Sequence, residues 1–214
     1  MKLVKTTASL LLSLAVPLLV IMTAIRVLLT PIFYQVEYRM PYFPEDPYGF
    51  TLEDRLEGAR ISVDYLVNNA GINYFNAYQL ADGSPFYNKR ELSHMLDVKI
   101  LVQKMITAWF ILGAVVLLIG LATWKSGKLA AYWKALSRGG LWTLGLIAAI
   151  LVFVALSFSA LFTQFHMLFF SGDTWLFEYS DTLIRLFPMQ FWQDAFIWVG
   201  ALSILQGTAL YLLG

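Results

Sequence analysis

The chain has 214 residues, 59% of them hydrophobic and only 14% charged, with a mean hydropathy of +0.66, a balance that excludes an ordinary soluble domain. Cysteine is absent, which removes disulfides, iron–sulfur centres, thiolate metal sites and cysteine nucleophiles together. The net charge of +1 says little by itself and no nucleic-acid partner is expected, but the charges are unevenly distributed along the chain.

Four apolar windows reach spanning length, at residues 8–29, 101–123, 141–163 and 195–213. At ~1.5 Å per residue, each covers a hydrocarbon core of ~30 Å. The expected fold is therefore mainly α, a single membrane domain over residues 1–214 with four transmembrane helices. Lys2 and Lys5 precede the first window, and Lys125, Lys128, Lys134 and Arg138 lie between the second and third, with no Asp or Glu among them. All fourteen acidic residues fall in the 34–97 and 164–194 segments. Cytoplasmic loops gather Lys and Arg, so the pattern predicts both termini inside (N-in/C-in) and the first and third loops outside.

The first window follows two lysines as a signal peptide would, yet it runs past twenty residues without a small-x-small cleavage site, so an uncleaved anchor is expected. Arg26 falls about 27 Å along that helix from Ala8, at the outer interface. It either snorkels to the headgroups or offers a cation to an ester carbonyl or lipid headgroup.

Residues 34–97 read as a small α+β cap or lid on the extracytoplasmic side. Residues 33–38 alternate weakly and suggest a short strand, after which Pro41, Pro44 and Pro47 impose a turn-rich passage. Thr51 to Asp54 carries a capping-box signature, and the helix it opens is expected to present Leu52, Leu56, Ala59, Val63 and Leu66 on one face. Residues 72–80 and Phe86-Tyr87 flank Ala81-Asp82-Gly83-Ser84-Pro85 and suggest a hairpin. Asn88 to Glu91 then starts a second helix that runs through His94 into the second span, with Lys99 and Lys104 marking the outer interface. A short basic loop is expected over 124–140, ending in Gly139-Gly140 before the third span.

The chemistry narrows to two histidines. No H-E-x-x-H, P-loop, G-x-S-x-G or dinucleotide fingerprint is present, and no acid lies inside a span. His94 directly precedes the second span and His166 directly follows the third, so the predicted topology puts both at the outer face. His94 and Asp97 stand at i and i+3 and share a helix face, where a carboxylate would raise the imidazole's basicity and fix its tautomer for general acid–base work. Ser93 and Ser171 lack the spacing to share a face with either histidine, so a serine–histidine dyad is open only across helices, whereas two histidines suffice for a substrate that brings its own nucleophile, such as an amine.

The sequence resembles the lipoprotein intramolecular transacylases, four-span bacterial membrane proteins. The resemblance rests on His94-Met95-x-Asp97-Val98 before the second span, on Phe165-His166-x-x-Phe169-Phe170 with Trp175 after the third, and on the layout of the whole chain. It implies an acyltransferase of the bacterial cell membrane with its active site at the extracytoplasmic face. The substrate would be a diacylated lipoprotein, and the sn-2 acyl chain of its S-diacylglyceryl cysteine would move to the α-amine to give the lyso form. His94 and His166 are then the essential pair, with Asp97 assisting; Arg26, Phe169, Phe170, Asp173 and Trp175 are candidate substrate contacts. His94 is expected to be the base, and His166, with Arg26 assisting, the donor to the oxyanion. No metal or cofactor is required, and membrane phospholipid is the surrounding partner. Two rival readings are a non-catalytic lipid- or lipoprotein-binding module and a membrane protein holding haem between the two histidines.

Overall fold

Apolar segments in a hydrocarbon core must satisfy their own peptide groups, and this chain does so with helices. The computed structural model describes residues 2–214, with side chains from Thr7 onward, so the charges of Lys2 and Lys5 lie outside the described residues. The elements run α1 (Lys2–Leu28), α2 (Pro31–Glu37), α3 (Leu52–Val67), a 3-10 helix (Ile72–Ala77), α4 (Lys89–Lys125), α5 (Leu129–Phe169), α6 (Thr182–Leu186) and α7 (Met189–Leu212). Among the described residues, α1, α4, α5 and α7 are long and apolar enough to cross a membrane, matching the expected four spans. The protein is a multi-pass membrane protein. Its chain divides into two compact units, Met1–Arg26 with Met105–Leu156 and Phe196–Gly214, and Val27–Lys104 with Ser157–Ala195.

The first unit consists of helix segments whose outward faces stay apolar. Phe110, Leu117, Phe153, Leu156 and Leu205 are all largely exposed, as lipid-facing residues should be. Inside, Leu12, Val16, Val20, Ala135 and Leu136 form a core packed on Ile119, Tyr132 and Leu210. Small residues bring the backbones together, which is how helices associate where lipid cancels the hydrophobic drive. A Cβ on Gly140 would sit 2.5 Å from the Gly207 carbonyl oxygen, and one on Gly139 2.8 Å from that of Ser13. Ser13 Oγ donates to the Ala135 carbonyl at 2.9 Å, and Trp109 Nε1 donates to Thr23 Oγ1 at 2.9 Å. The basic stretch expected as a loop over 124–140 is mostly helix. Only the turn at Gly127, with φ +68°, separates α4 from α5, because Gly139 and Gly140 are needed as packing surfaces within α5.

The second unit holds all fourteen acidic residues. The expected α+β character is not found, since no strand occurs among its described residues. Phe33 to Glu37 lies in α2, because Pro31 presets the first helical turn and Phe33, Tyr34 and Glu37 are buried at helical spacing. The expected hairpin reduces to one isolated bridge, Gln79 to Pro85, around a turn at Gly83 (φ +81°). Its first arm is the 3-10 helix, which drives Phe75 into a cluster with Tyr65, Phe86 and Tyr87, at ring separations of 4.6, 6.3 and 5.0 Å. That burial outweighs strand propensity.

The capping box of α3 forms as read: Asp54 N–H donates to Thr51 Oγ1 at 3.1 Å, and Thr51 N–H to Asp54 Oδ2 at 2.9 Å. Its buried face, however, is Arg55, Gly58, Ala59, Ile61, Ser62 and Tyr65, so of the expected stripe only Ala59 is buried. Close approach decides this. A Cβ on Gly58 would meet Leu186 Cδ2 at 2.6 Å, and Ser62 Oγ lies 2.7 Å from the buried Tyr87 hydroxyl. Lys99 is likewise not an interfacial marker. It is buried and donates from Nζ to the carbonyls of Tyr65 (2.7 Å) and Ala70 (2.6 Å) and to Asn68 Oδ1 (3.1 Å), capping the end of α3.

Candidate active site

The start of α4 fixes His94. Asn88 caps it, accepting from Glu91 N–H at 3.1 Å, while Glu91 Oε2 accepts from Asn88 N–H at 2.7 Å. Glu91 is buried, and its other oxygen accepts from Leu183 N–H at 2.6 Å, so the turn that carries His94 is tied to α6. His166 lies in the last turn of α5, and the chain after it turns at Gly172 (φ +73°). Leu176 N–H donates to the Asp173 carbonyl at 3.0 Å, and Arg90 Nη1 to the Leu176 carbonyl at 3.1 Å, holding the 173–176 turn against α4.

The two imidazoles converge. Their ring centroids are 5.9 Å apart and their planes differ by 22°. Both are buried, at 6% and 7% exposure, so whatever reacts between them is shielded from bulk water. Phe170 packs on both, 4.9 Å from His94 and 5.5 Å from His166. Phe177 flanks His94 at 5.4 Å; Phe162 and Trp175 flank His166 at 4.2 and 5.0 Å.

Hydrogen bonding separates the roles of the two rings. His166 Nδ1 lies 2.8 Å from the Phe162 carbonyl oxygen, which can only accept. Nδ1 therefore carries the proton, and Nε2 of neutral His166 keeps a free lone pair. His94 Nδ1 is buried without a hydrogen-bond partner. The carboxylate of Asp97 does not reach it and instead accepts from Thr174 Oγ1 at 3.4 Å. The i,i+3 spacing gave a shared face, but the carboxylate turns toward the loop.

Asp97 also lines a cavity of about 150 Å³ with Ile100, Leu101, Lys104, Phe169, Phe170 and Ser171. The structure thus gathers His94, His166, Phe170 and Trp175 at one point and sets Asp97 and Phe169 in the adjoining cavity. Asp173 is exposed on its turn, and Arg26 belongs to the other unit. Sequence reasoning missed Phe162 and Phe177. Phe162 was accessible, since the carbonyl four residues before any helical histidine lies within reach of its side chain. Phe177, on an irregular segment, gave no such signal. Phe162, Phe170 and Trp175 pack on the two histidine rings, where a haem held between them would have to lie. No cluster of three metal-ligating side chains occurs among the described residues.

Three comparisons bear on this arrangement. The sequence profile described as "Lipoprotein intramolecular transacylase Lit" matches residues 10–192. An uncharacterized protein of Aquifex aeolicus (strain VF5) is 28% identical over 207 residues, covering 96% of this chain and 92% of its own length. The in meso structure of the membrane integral lipoprotein intramolecular transacylase Lit from Bacillus cereus superposes with a TM-score of 0.82 at 20% identity, over 100% of this chain and 95% of that one. A variant of the same protein with one histidine replaced by arginine gives 0.75 over 98% and 90%.

Proposed function

The chain belongs to the lipoprotein intramolecular transacylase family, and from that premise we propose that it transfers the sn-2 acyl chain of an S-diacylglyceryl cysteine to the α-amine of the same cysteine. The observation that carries this reading is the pair of buried imidazoles 5.9 Å apart, one of which is held in the Nδ1–H tautomer by a backbone carbonyl. An amine nucleophile needs a base and an ester carbonyl needs a donor; two histidines can supply both.

His166 takes the role of base, reversing the assignment drawn from the Asp97 spacing. Its Nε2 accepts a proton from the α-amine as that nitrogen attacks the sn-2 carbonyl carbon. The α-ammonium, whose pKa is near ~7.7, first releases one proton to solvent, so the nitrogen that attacks is a neutral amine and Nε2 takes its second proton. The proton then passes from Nε2 to the departing glycerol oxygen as the carbon–oxygen bond breaks. The N–H proton lost thus becomes the O–H proton gained, and no acyl-enzyme forms. His94, with an unsatisfied nitrogen facing no protein partner, donates to the oxyanion.

Asp97 receives the substrate's ammonium in the adjoining cavity before deprotonation, and Phe169 and Phe170 flank the glyceryl and acyl groups. Asp173, exposed on its turn, contacts the substrate's polar parts. The site faces the extracytoplasmic side, with residues 34–97 as its cap and both termini inside. The charge sorting supports this orientation, because every acid lies in the unit that holds the histidines. The acyl chains enter from the outer leaflet, since each CH₂ exposed to water costs ~0.8 kcal/mol, and phospholipid fills the same space otherwise.

The test uses purified protein in lipid nanodiscs with a synthetic diacylated lipopeptide. Transfer is an isomerisation and leaves the total mass unchanged, so fragment ions that place the acyl group on the N-terminal nitrogen are the readout. Wild-type protein should produce them, and His94→Ala or His166→Ala should lower the rate by roughly 10²–10⁴-fold while the protein stays folded. If wild-type protein binds the lipopeptide without producing N-acyl fragments, the chain is a binding module and the reaction is refuted. Near-normal turnover in either variant removes that histidine from the mechanism.

A further inference from the structure

We propose that Trp175 is a catalytic residue whose indole Nε1–H donates to the reacting carbonyl oxygen as it gains negative charge. The inference rests on the acyl-transfer reading above. Its starting point is an unpaired atom: Nε1 of Trp175 is buried and has no hydrogen-bond partner. An indole N–H can only donate, so it cannot be satisfied by rotating into an acceptor role. Orphaned buried donors are rare in folded proteins, and each one calls for a cause.

The position of the ring gives the cause. Trp175 lies 5.0 Å from the His166 ring, with 36° between planes, on the imidazole that holds the free lone pair. It is not free to drift toward another partner. Its neighbours in sequence are held by the Leu176 N–H bond to Asp173 at 3.0 Å, the Arg90 bond to Leu176 at 3.1 Å and the Thr174 bond to Asp97 at 3.4 Å. The attacking nitrogen must lie within hydrogen-bond reach of His166, and the carbonyl oxygen is only one atom beyond the carbon it attacks. A donor beside His166 therefore stands where the charge develops. It is fixed before the reaction and shielded from water, the two conditions under which such donors contribute most. The indole loses no proton; the group only hydrogen-bonds the oxygen, alongside His94.

The experiment replaces Trp175 with 3-benzothienylalanine, which keeps the bicyclic shape and substitutes sulfur for N–H, and separately makes Trp175→Phe. Lipopeptide transfer is then followed in nanodiscs. The expected result for the benzothienyl protein is kcat lower by roughly 10²–10³-fold, with KM and melting temperature unchanged. Wild-type turnover with a benzothienyl rate within about threefold of it overturns the role of Trp175 and leaves the acyl-transfer reading intact. No wild-type turnover overturns both. An independent measurement needs only native protein: with ¹⁵N-labelled tryptophan, the Trp175 indole proton should shift downfield when a phosphonate analogue of the tetrahedral intermediate binds. The Trp175→Phe protein assigns the resonance, and an unmoved signal overturns the proposal.

Discussion

The ion pair between Arg185 and Asp46 should couple strongly in a double-mutant cycle. Arg185 donates from Nη2 at 2.9 Å and Nε at 3.1 Å to Asp46 Oδ2, and the two side chains are 12% and 1% exposed. The guanidinium also lies 3.4 Å from the centre of the Phe50 ring, so it joins α6 to the 46–50 turn by charge and by stacking. Arg185→Met keeps the stem but leaves a buried carboxylate whose remaining bond is to Phe50 N–H at 2.7 Å, and breaking a buried pair in this way costs about 3–5 kcal/mol. For a chain of this length, each kcal/mol lowers the melting temperature by ~2–4 °C, which gives a drop of roughly 6–20 °C. Asp46→Asn keeps an acceptor for Phe50 and removes the charge that Arg185 would otherwise orphan. The double variant should therefore melt close to Asp46→Asn alone, with a coupling energy of ~2 kcal/mol or more. Thermal unfolding in detergent, followed by tryptophan fluorescence, measures the cycle. Additivity within ~0.5 kcal/mol would refute the claim that the two side chains are coupled.

Two other predictions concern topology and packing. The chain is free of cysteine, so Ser84→Cys should react with an impermeant maleimide from outside and Ser126→Cys only after permeabilisation; outside labelling of Ser126→Cys would reverse the proposed orientation. Gly140→Ala should destabilise by about 1–3 kcal/mol, because the new Cβ meets the Gly207 carbonyl oxygen at 2.5 Å and Tyr211 N at 2.9 Å, while Gly145→Ala, with nothing within 4 Å, should not; equal melting temperatures would refute the close approach.

The parts of the fold that were legible in the sequence were those set by periodicity and solvent. The spans, the capping boxes at Thr51 and Asn88, and the convergence of His94 and His166 all follow from local patterns that tertiary contacts reinforce. The failures share a cause. The segment from Phe33 to Glu37, the arm from Ile72 to Ala77 and the buried face of α3 are each decided by a partner distant in sequence. Examples are Phe191, 4.9 Å from Phe33, and Leu186 against Gly58. Lys99 was misread because an interfacial lysine and a capping lysine look alike until the end of α3 is placed beside it. The proposed roles of the histidines turn on one distance, 2.8 Å from His166 Nδ1 to the Phe162 carbonyl, a contact that helical spacing allows for any histidine but does not select.

The aromatic enclosure of the histidines has a consequence for the fate of the acyl chain. Water at ~55 M competes for any ester that a base can activate, and each lost competition would release a free fatty acid and strand a deacylated lipoprotein. Phe162, Phe170, Phe177 and Trp175 leave both rings less than a tenth exposed, which lowers the local activity of that competitor. The amine arrives tethered to the same glyceryl cysteine, and well-oriented tethered groups reach effective molarities of 10⁵–10⁸ M. Dry walls and a tethered nucleophile act in the same direction, so on the proposed chemistry the partition between transfer and hydrolysis is set by the enclosure before the base acts.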